Sequence, residues 1–372
     1  MKKFRYYIAS VIMLSAMALS FTSCSEDDLG PSIFPEINEN PDPASSTYQL
    51  DMFCKNNFLD VYNLEFLYKM ADISADMNYN LVPATYSNSV DMAVLIKYLW
   101  FDAYDKIAGP NFLKQYGPRI IQLVGSPSYN GYGEMVVGLS ESGMKVSLFR
   151  VNSMMVNDYQ SMNEYYFSTM HHEFAHILHQ TKTYPPEFKT LSVGKYDAAS
   201  WTNRDANQMK SQGFVTNYAS SEVREDFAEI VANYIISNDA EWEYILDLAS
   251  RGWEKDASDL YSETYYCYYY YNNNDQTTAK IHLNEDDVFI DASGNKYYRD
   301  NKDSEGNRLL VYDVEDTDDI NGREVIEQKL QIVRQWFLDA WDVDLDALRQ
   351  EVQYRQTHYD INQLRKQVYD IQ

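Results

Sequence analysis

Positive charge is scarce in this chain. Of its 372 residues only 31 are Lys or Arg, against 56 Asp or Glu, and the formal net charge is −25. Nucleic acids and anionic membrane surfaces attract basic proteins, so this composition argues against both as binding partners. The hydrophobic content of 45% is sufficient for a globular protein with a substantial core.

Cysteine is scarce as well, with three residues: Cys24, Cys54 and Cys267. The last two could form one disulfide in an oxidising compartment. A disulfide requires backbones close enough for the sulfur atoms to meet, which the sequence does not establish. We therefore favour two unpaired, buried thiols.

Long apolar runs are few, and one of them lies at the N-terminus. Residues 8–21 are apolar, follow three basic residues, and are too few to span a membrane as a helix. The run ends in Phe-Thr-Ser-Cys24, which resembles the end of a bacterial lipoprotein signal peptide, with Cys24 lipidated as the new N-terminus. The acidic residues 25–28 resemble the surface-export signal of Bacteroidota lipoproteins. An ordinary secretory signal is the alternative.

A short motif in the middle of the chain carries the clearest chemistry. Residues 170–180 read M-H-H-E-F-A-H-I-L-H-Q and contain H-E-x-x-H. On a helix, His172 and His176 lie one turn apart on the same face and can bind one ion together. Zinc suits two neutral imidazoles with a third ligand and a water molecule. Glu173, beside the first histidine, is then the candidate general base.

A hydrolytic zinc site needs a third protein ligand, and the neighbouring histidines are poorly placed for it. His179 lies seven residues after His172, roughly 10 Å further along a helix axis, and His171 points about 100° away from His172. We interpret both as structural, or at most as groups behind the ligands or in the cleft. The remaining candidates are carboxylates on a downstream helix: Glu222, Glu225 and Glu229.

The spacing of apolar residues predicts a largely helical chain. Helices are expected at residues 48–70, 90–107, 161–181 (capped by Ser161), 220–237 (capped by Ser220 or Ser221), 241–248, 324–341 and 345–368. Charges interrupt residues 90–107, so this helix is not expected to span a membrane. Strands are expected at 119–124, in a hairpin of 135–139 and 145–151, and in further hairpins between 281 and 316. Residues 187–213 read as a loop.

The candidate carboxylates belong to a segment with a resemblance of its own. Glu-Asp-Phe-Ala-Glu at residues 225–229, preceded by Tyr218, is similar to the metal-ligand helix of the catalytic domain of anthrax toxin lethal factor. That resemblance implies Glu225 as the third zinc ligand and Tyr218 as a hydrogen-bond donor to the transition state. Glu229 would accept a hydrogen bond from a ligand histidine and orient it.

The whole mature chain more closely resembles a family of zinc-binding metallopeptidases among Bacteroidota lipoproteins, most specifically from about Tyr165 to Ile236 and more loosely over the flanking helices. Its members share H-H-E-F-A-H-I-L-H-Q and the E-D-F-A-E helix, and their genes often lie beside outer-membrane glycan-uptake systems. The resemblance implies an α+β, zincin-like fold, mostly helical with a small antiparallel sheet above the active-site helix. It also implies one catalytic Zn²⁺, hydrolysis of protein or glycoprotein substrates, and attachment to the outer membrane, at the cell surface or on the periplasmic face, through Cys24.

The domain boundaries follow from these interpretations. Residues 1–23 are expected to be a signal peptide, 24–47 a Pro-containing tether, and 48–372 one peptidase domain. A Tyr-rich, β-rich stretch at about 261–319 reads as an insertion. With 33 Tyr in the chain, the alternative function is a scaffold with little or no catalysis that binds glycan or glycoprotein for an uptake system.

Overall fold

Helices dominate the fold, and sheets of four, six and two strands accompany them among the described residues. The structure, a computed structural model, describes residues 41–69, 81–129, 135–136, 138–141, 145–255, 265–272, 278–282, 287–302, 305–313 and 320–372. The predicted fold class, α+β and mostly helical with a small sheet, is confirmed. Ala44–Gln372 form one compact unit. Within the described ranges no helix is both long and apolar enough to cross a membrane.

Eleven helices are found among the described residues, and three of them contain a π-helical segment. The helices are α1 (48–62, with Lys55–Leu59 π-helical), α2 (86–107, with Ile96–Phe101 π-helical), α3 (Phe112–Tyr116), α4 (159–181, with Asn163–Phe167 π-helical), α5 (Glu187–Thr190), α6 (Ala206–Ser211), α7 (Val223–Ile236), α8 (Asp239–Ala249), α9 (Gly322–Trp341), α10 (Leu345–His358) and α11 (Ile361–Tyr369).

The strands form two larger sheets and one two-stranded ribbon. They are β1 (Glu65–Leu67), β2 (Ile120–Leu123), β3 (Ser128–Tyr129), β4 (Met135–Val136), β5 (Gly138–Glu141), β6 (Lys145–Leu148), β7 (Trp253–Lys255), β8 (Tyr265–Asn272), β9 (Thr278–His282), β10 (Val288–Ile290), β11 (Lys296–Lys302) and β12 (Arg308–Asp313).

The four-stranded sheet has the order β1-β2-β6-β5. β1 and β6 both run parallel to β2, whereas β5 pairs antiparallel with β6. The predicted hairpin is therefore present, and β5 forms an edge of this sheet. Its turn residues 142–144 lie outside the described residues.

The second sheet confirms strands in the segment expected to be an insertion. Its order is β10-β11-β12-β8-β7, with β9 pairing β8, and the tyrosine run lies in β8. The predicted hairpin around Gly294 joins β10 and β11, and Gly294 has the left-handed φ of 86° that glycine accepts readily. β7 shows that the sheet begins before residue 261. The side chains of β8 and β9 lie outside the described residues.

Two of the predicted helices are interrupted in the structure. Residues 48–70 do not form one helix, because Asn63 adopts a left-handed φ of 53° after α1 and the chain then enters β1. Residues 345–368 form two helices. Asp360 has extended backbone angles and its side chain accepts a hydrogen bond from the amide of Asn362, which starts α11.

The caps of the two central helices also differ from the prediction. Helix α4 starts earlier than Ser161, because the Asp158 carboxylate accepts hydrogen bonds from the amides of Gln160 and Ser161 at 3.1 and 3.2 Å. Helix α7 starts at Val223, not at a serine cap, because the hydroxyl of Ser220 donates to the carbonyl of Asn217 within a preceding 3₁₀ turn.

The expected loop at residues 187–213 is more helical than its composition suggests. It contains α5, a 3₁₀ turn at Trp201–Asn203, and α6. The Asp205 carboxylate caps α6 by accepting hydrogen bonds from the amides of Asn207 and Gln208 at 2.9 and 2.8 Å. A strong N-cap therefore outweighs the polar, helix-poor composition of this stretch.

Helix α7 lies at the centre of the helical layer. It packs against α4, α9 and α10, and one hydrophobic core includes residues from all four helices, among them Phe174, Phe227, Phe337 and Leu348. Packing of α7 on α4 places the downstream carboxylates beside the H-E-x-x-H motif. Cys54 lies in the same core as a free, buried thiol, as expected.

Candidate metal centre

Three side chains from two packed helices converge on one point. His172 and His176 lie in α4, and Glu225 lies in the first turn of α7. The two imidazole Nε2 atoms are 3.0 Å apart, and Glu225 Oε2 lies 3.0 Å from the first and 3.1 Å from the second. The described residues contain no other such group of three or more His, Cys, Asp or Glu side chains.

The protonation pattern of this triangle fits a cation. The Nδ1 atom of each histidine lies close to a further polar atom. This is Oε1 of Glu229 for His172 and Nε2 of His179 for His176. If each Nδ1 carries the ring proton, both neutral Nε2 atoms direct lone pairs at each other and at the Glu225 carboxylate. Three acceptors at about 3 Å repel one another unless a metal ion lies among them or a proton is bound to one of the Nε2 atoms.

The donor set and spacing suit zinc in particular. Two imidazole nitrogens and a carboxylate oxygen are the ligands of many catalytic zinc sites, which leave the fourth position open. With zinc–ligand bonds of about 2.0–2.1 Å, the ligand atoms of a tetrahedral site lie roughly 3.3 Å apart. The observed separations of 3.0–3.1 Å are close to that value.

A hydrogen-bond network behind His172 fixes its orientation. Its Nδ1 lies 2.7 Å from Oε1 of Glu229, one turn after Glu225 on α7. The other carboxylate oxygen of Glu229 accepts hydrogen bonds from the Thr216 hydroxyl at 2.7 Å and from the Asn233 amide at 3.4 Å. Glu229 is therefore the buried hydrogen-bond partner of His172, one of the three candidate ligands.

The pKa values of His172, Glu225 and Glu229 reflect both their burial and their hydrogen bonds to one another. Burial by itself would lower the pKa of His172, but hydrogen bonds to Glu225 and Glu229 raise it to about 10 when no cation is bound. Burial would raise the pKa values of both carboxyl groups, and their hydrogen bonds to His172 lower them instead. Both glutamates are thus held as anions.

Glu173 lies beside the triangle without belonging to it. Its side chain is partly exposed and, among the described residues, has no hydrogen bond or ion pair. Its charge is near enough to contribute to the raised pKa values of His172 and Tyr218. An unpaired carboxylate at this position is free to accept a proton.

Tyr218 lies beside His172, in the 3₁₀ turn before α7. Its ring stacks on His172, with centroids 5.8 Å apart, and meets Trp201 edge-on at 4.7 Å. Burial, the charge of Glu225 and a hydrogen bond to Glu225 raise the pKa of Tyr218 above its ordinary value. The hydroxyl group therefore stays protonated and can donate a hydrogen bond.

The other candidate residues lie apart from the ligand atoms. His171 is buried, and its Nδ1 lies 3.0 Å from the hydroxyl of Tyr104. Glu222 pairs with Arg224 at 3.0 Å and is partly exposed, so it is not in the cluster. Cys24 lies outside the described residues.

Sequence reasoning missed two supporting groups. Thr216, which donates to Glu229, comes from an irregular segment with no motif that marks it. Lys329, on α9, pairs with Asp226 in a completely buried contact next to Glu225. A lysine among apolar helix positions is a weak signal, and its partner could not be identified from spacing.

Comparisons with known proteins show what this chain is similar to. A crystal structure described as a putative zinc-binding metallo-peptidase from Bacteroides caccae is similar, with a TM-score of 0.58 and 28% identity over 84% of this chain and 94% of that chain. No curated protein matches the chain. Residues 44–346 match a family described as "putative zinc-binding metallo-peptidase". The protein therefore belongs to that family.

Proposed function

We propose that this protein hydrolyses peptide bonds with one zinc ion held by His172, His176 and Glu225. The observation that carries the proposal is the triangle of Nε2, Nε2 and Oε2 atoms at 3.0–3.1 Å, with an unpaired Glu173 beside it. Family membership supports a metallopeptidase. When bound, zinc would polarise a substrate carbonyl and lower the pKa of a water molecule toward about 7.

The side chains then divide the proton transfers and the charge stabilisation. Glu173 accepts the proton of the attacking water and passes it to the leaving amine. Tyr218, protonated because its pKa is raised, donates a hydrogen bond to the oxygen on which negative charge develops. Glu229 accepts a hydrogen bond from Nδ1 of His172, so that Nε2 of His172 remains available to the metal ion.

The substrate and its location are part of the proposal. Among the described strands, β5 pairs only with β6, and we infer that an extended peptide adds to its other edge by main-chain hydrogen bonds. We infer protein or glycoprotein substrates at the outer membrane, reached by an enzyme anchored through a lipidated Cys24. Proteins of a neighbouring glycan-uptake system are candidate partners.

The test compares cleavage by the wild type, Glu173→Gln and a matched control. Newly formed N-termini in cell-surface and secreted proteins are profiled by mass spectrometry after incubation with each purified protein. Glu187→Gln is the control, since Glu187 is an exposed carboxylate in α5. We expect cleavage with the wild type and the control, and none with Glu173→Gln, which should still bind zinc. Equal cleavage by all three would contradict the proposal.

A result without cleavage points to the other candidate function. The second sheet, β7 to β12 with β8 from the tyrosine run, could serve recognition in a binding scaffold. Glycan binding that survives chelation of zinc, with no new N-termini in any sample, would favour that role.

A further inference from the structure

His179, which follows the H-E-x-x-H motif by three residues, has a specific contact that the set of candidate ligands does not explain. His179 Nε2 lies 2.8 Å from Nδ1 of His176, while Nε2 of His176 faces His172 and Glu225. The two rings are close to perpendicular, with centroids 5.0 Å apart. Three residues separate them on α4, the spacing at which helix side chains are neighbours.

This contact determines where the ring protons are. A histidine that presents Nε2 to a cation carries its proton on Nδ1, which then donates. The acceptor for His176 must be Nε2 of His179, so His179 itself carries its proton on Nδ1. With Nε2 of His176 facing a cation, an Nε2–H group on His179 would instead point at the Nδ1–H group of His176 across 2.8 Å. The reverse hydrogen bond requires His176 to be protonated on Nε2, which a bound cation excludes.

Aromatic neighbours hold His179 in this orientation. It is 6% exposed and meets the rings of Tyr184 and Phe227 edge-on, with centroids 5.5 and 6.0 Å away. Phe227 lies in α7 between Glu225 and Glu229. The helix that supplies the third ligand thus also packs against the ring that supports the second histidine.

We propose that His179 is a positioning residue, an uncharged acceptor that fixes the tautomer and ring orientation of His176. The assignment rests on the zinc site of the proposed function. The two ligand histidines then have different supports: a carboxylate, Glu229, behind His172, and an imidazole, His179, behind His176. Groups of this kind behind a metal ligand typically contribute 10–100-fold to metal affinity.

Two substitutions of His179 test its hydrogen-bond acceptor and its aromatic packing separately. Gln at position 179 can place its carbonyl oxygen close to where Nε2 lies, but it loses the aromatic packing. Phe keeps an aromatic ring between Tyr184 and Phe227 and has no acceptor. Zinc affinity is measured for the wild type, His179→Gln and His179→Phe by competition with a chromophoric chelator, with thermal unfolding of each zinc-free protein recorded in parallel.

The expected order distinguishes the acceptor from a packing role. We expect His179→Phe to bind zinc about 10–100-fold more weakly and His179→Gln to stay within a few fold of the wild type. A Phe variant with wild-type affinity, or a Gln variant as weak as the Phe variant, overturns the proposal. If the wild type binds no zinc, both the role of His179 and the proposed function are contradicted. If it binds zinc and both variants match it, only the role of His179 fails.

A measurement on the unaltered protein tests the same point through the position of the ring proton rather than through zinc affinity. Long-range ¹⁵N–¹H correlation spectra of histidine-labelled, zinc-loaded protein report the tautomer of each ring, and the His179 signals are assigned by their loss in His179→Gln. We expect the proton of His179 on Nδ1. A proton on Nε2 would exclude that atom as an acceptor and overturn the assignment.

Discussion

The Nζ atom of Lys329 lies 2.6 Å from Oδ2 of Asp226, and both side chains are completely buried. Lys329 also donates to the carbonyl of Gly213 at 2.7 Å, and the hydroxyl of Tyr196 donates to Asp226 at 2.8 Å. Asp226 directly follows the candidate ligand Glu225. This ion pair therefore joins α9 to the turn of α7 that contributes to the metal centre.

Removing one member of this pair should strongly destabilise the fold. We expect Lys329→Met to lower the free energy of unfolding by about 3–5 kcal/mol, because it leaves the Asp226 carboxylate buried without its counter-charge. Urea denaturation of the zinc-free protein measures this loss. The double variant Asp226→Leu/Lys329→Met should recover most of the stability. A loss below about 1 kcal/mol in the single variant would show that the pair does not matter for folding.

Tyr218→Phe should reduce turnover while leaving the metal in place. The substitution keeps the ring on His172 and against Trp201 and removes only the hydroxyl. Loss of one donor to a developing oxyanion typically lowers kcat by about 10²–10³. The values of kcat and KM are measured on a peptide that the wild type cleaves. An unchanged kcat at equal zinc content would remove Tyr218 from the mechanism.

Acid should destabilise the protein partly through His171. Burial lowers the pKa of His171 to about 3 in the folded state, whereas an unfolded histidine titrates near 6.5. Below pH 6.5 the unfolded chain therefore binds a proton that the folded protein does not, and stability falls as the pH falls. Between pH 7 and pH 5 this difference amounts to about 2 kcal/mol.

The variant His171→Asn isolates this contribution, because Asn does not titrate and keeps a polar atom near the hydroxyl of Tyr104. Urea denaturation at pH 7 and pH 5 is compared for both proteins. The wild type should lose about 2 kcal/mol more than the variant over this range. Equal losses would mean that His171 is protonated in the folded protein as readily as in the unfolded chain.

The sequence identified the three side chains of the candidate metal centre more readily than the groups behind them. His172 and His176 follow from spacing on one helix. Spacing left Glu222, Glu225 and Glu229 open, and Glu225 was implied by the resemblance of residues 225–229 to a known metal-ligand helix. Thr216 lies in an irregular segment. Its contact with Glu229 depends on the path of that segment, which no sequence pattern predicts. His179 was rejected as a ligand on its axial distance from His172, and it does not belong to the ligand triangle. That reasoning overlooked its three-residue spacing from His176.

The helix interiors were also easier to predict than their ends. Apolar periodicity extends over many residues, whereas a boundary depends on a single side chain. Asp158 and Ser161 both suit an N-cap, and only the structure shows that Asp158 accepts the amide hydrogen bonds. The left-handed turn at Asn63 and the break before Asp360 are similar local choices that interrupt an otherwise continuous pattern.

Zinc content with and without Glu225 tests the central claim most directly. Glu225→Ala is compared with Glu222→Ala, which removes a nearby carboxylate that pairs with Arg224 outside the cluster. Zinc per chain is measured by elemental analysis after dialysis, and affinity by chelator competition. We predict one zinc in the wild type and in Glu222→Ala, and in Glu225→Ala a loss of affinity beyond the 10–100-fold typical of supporting groups. One tightly held zinc in Glu225→Ala would contradict the account.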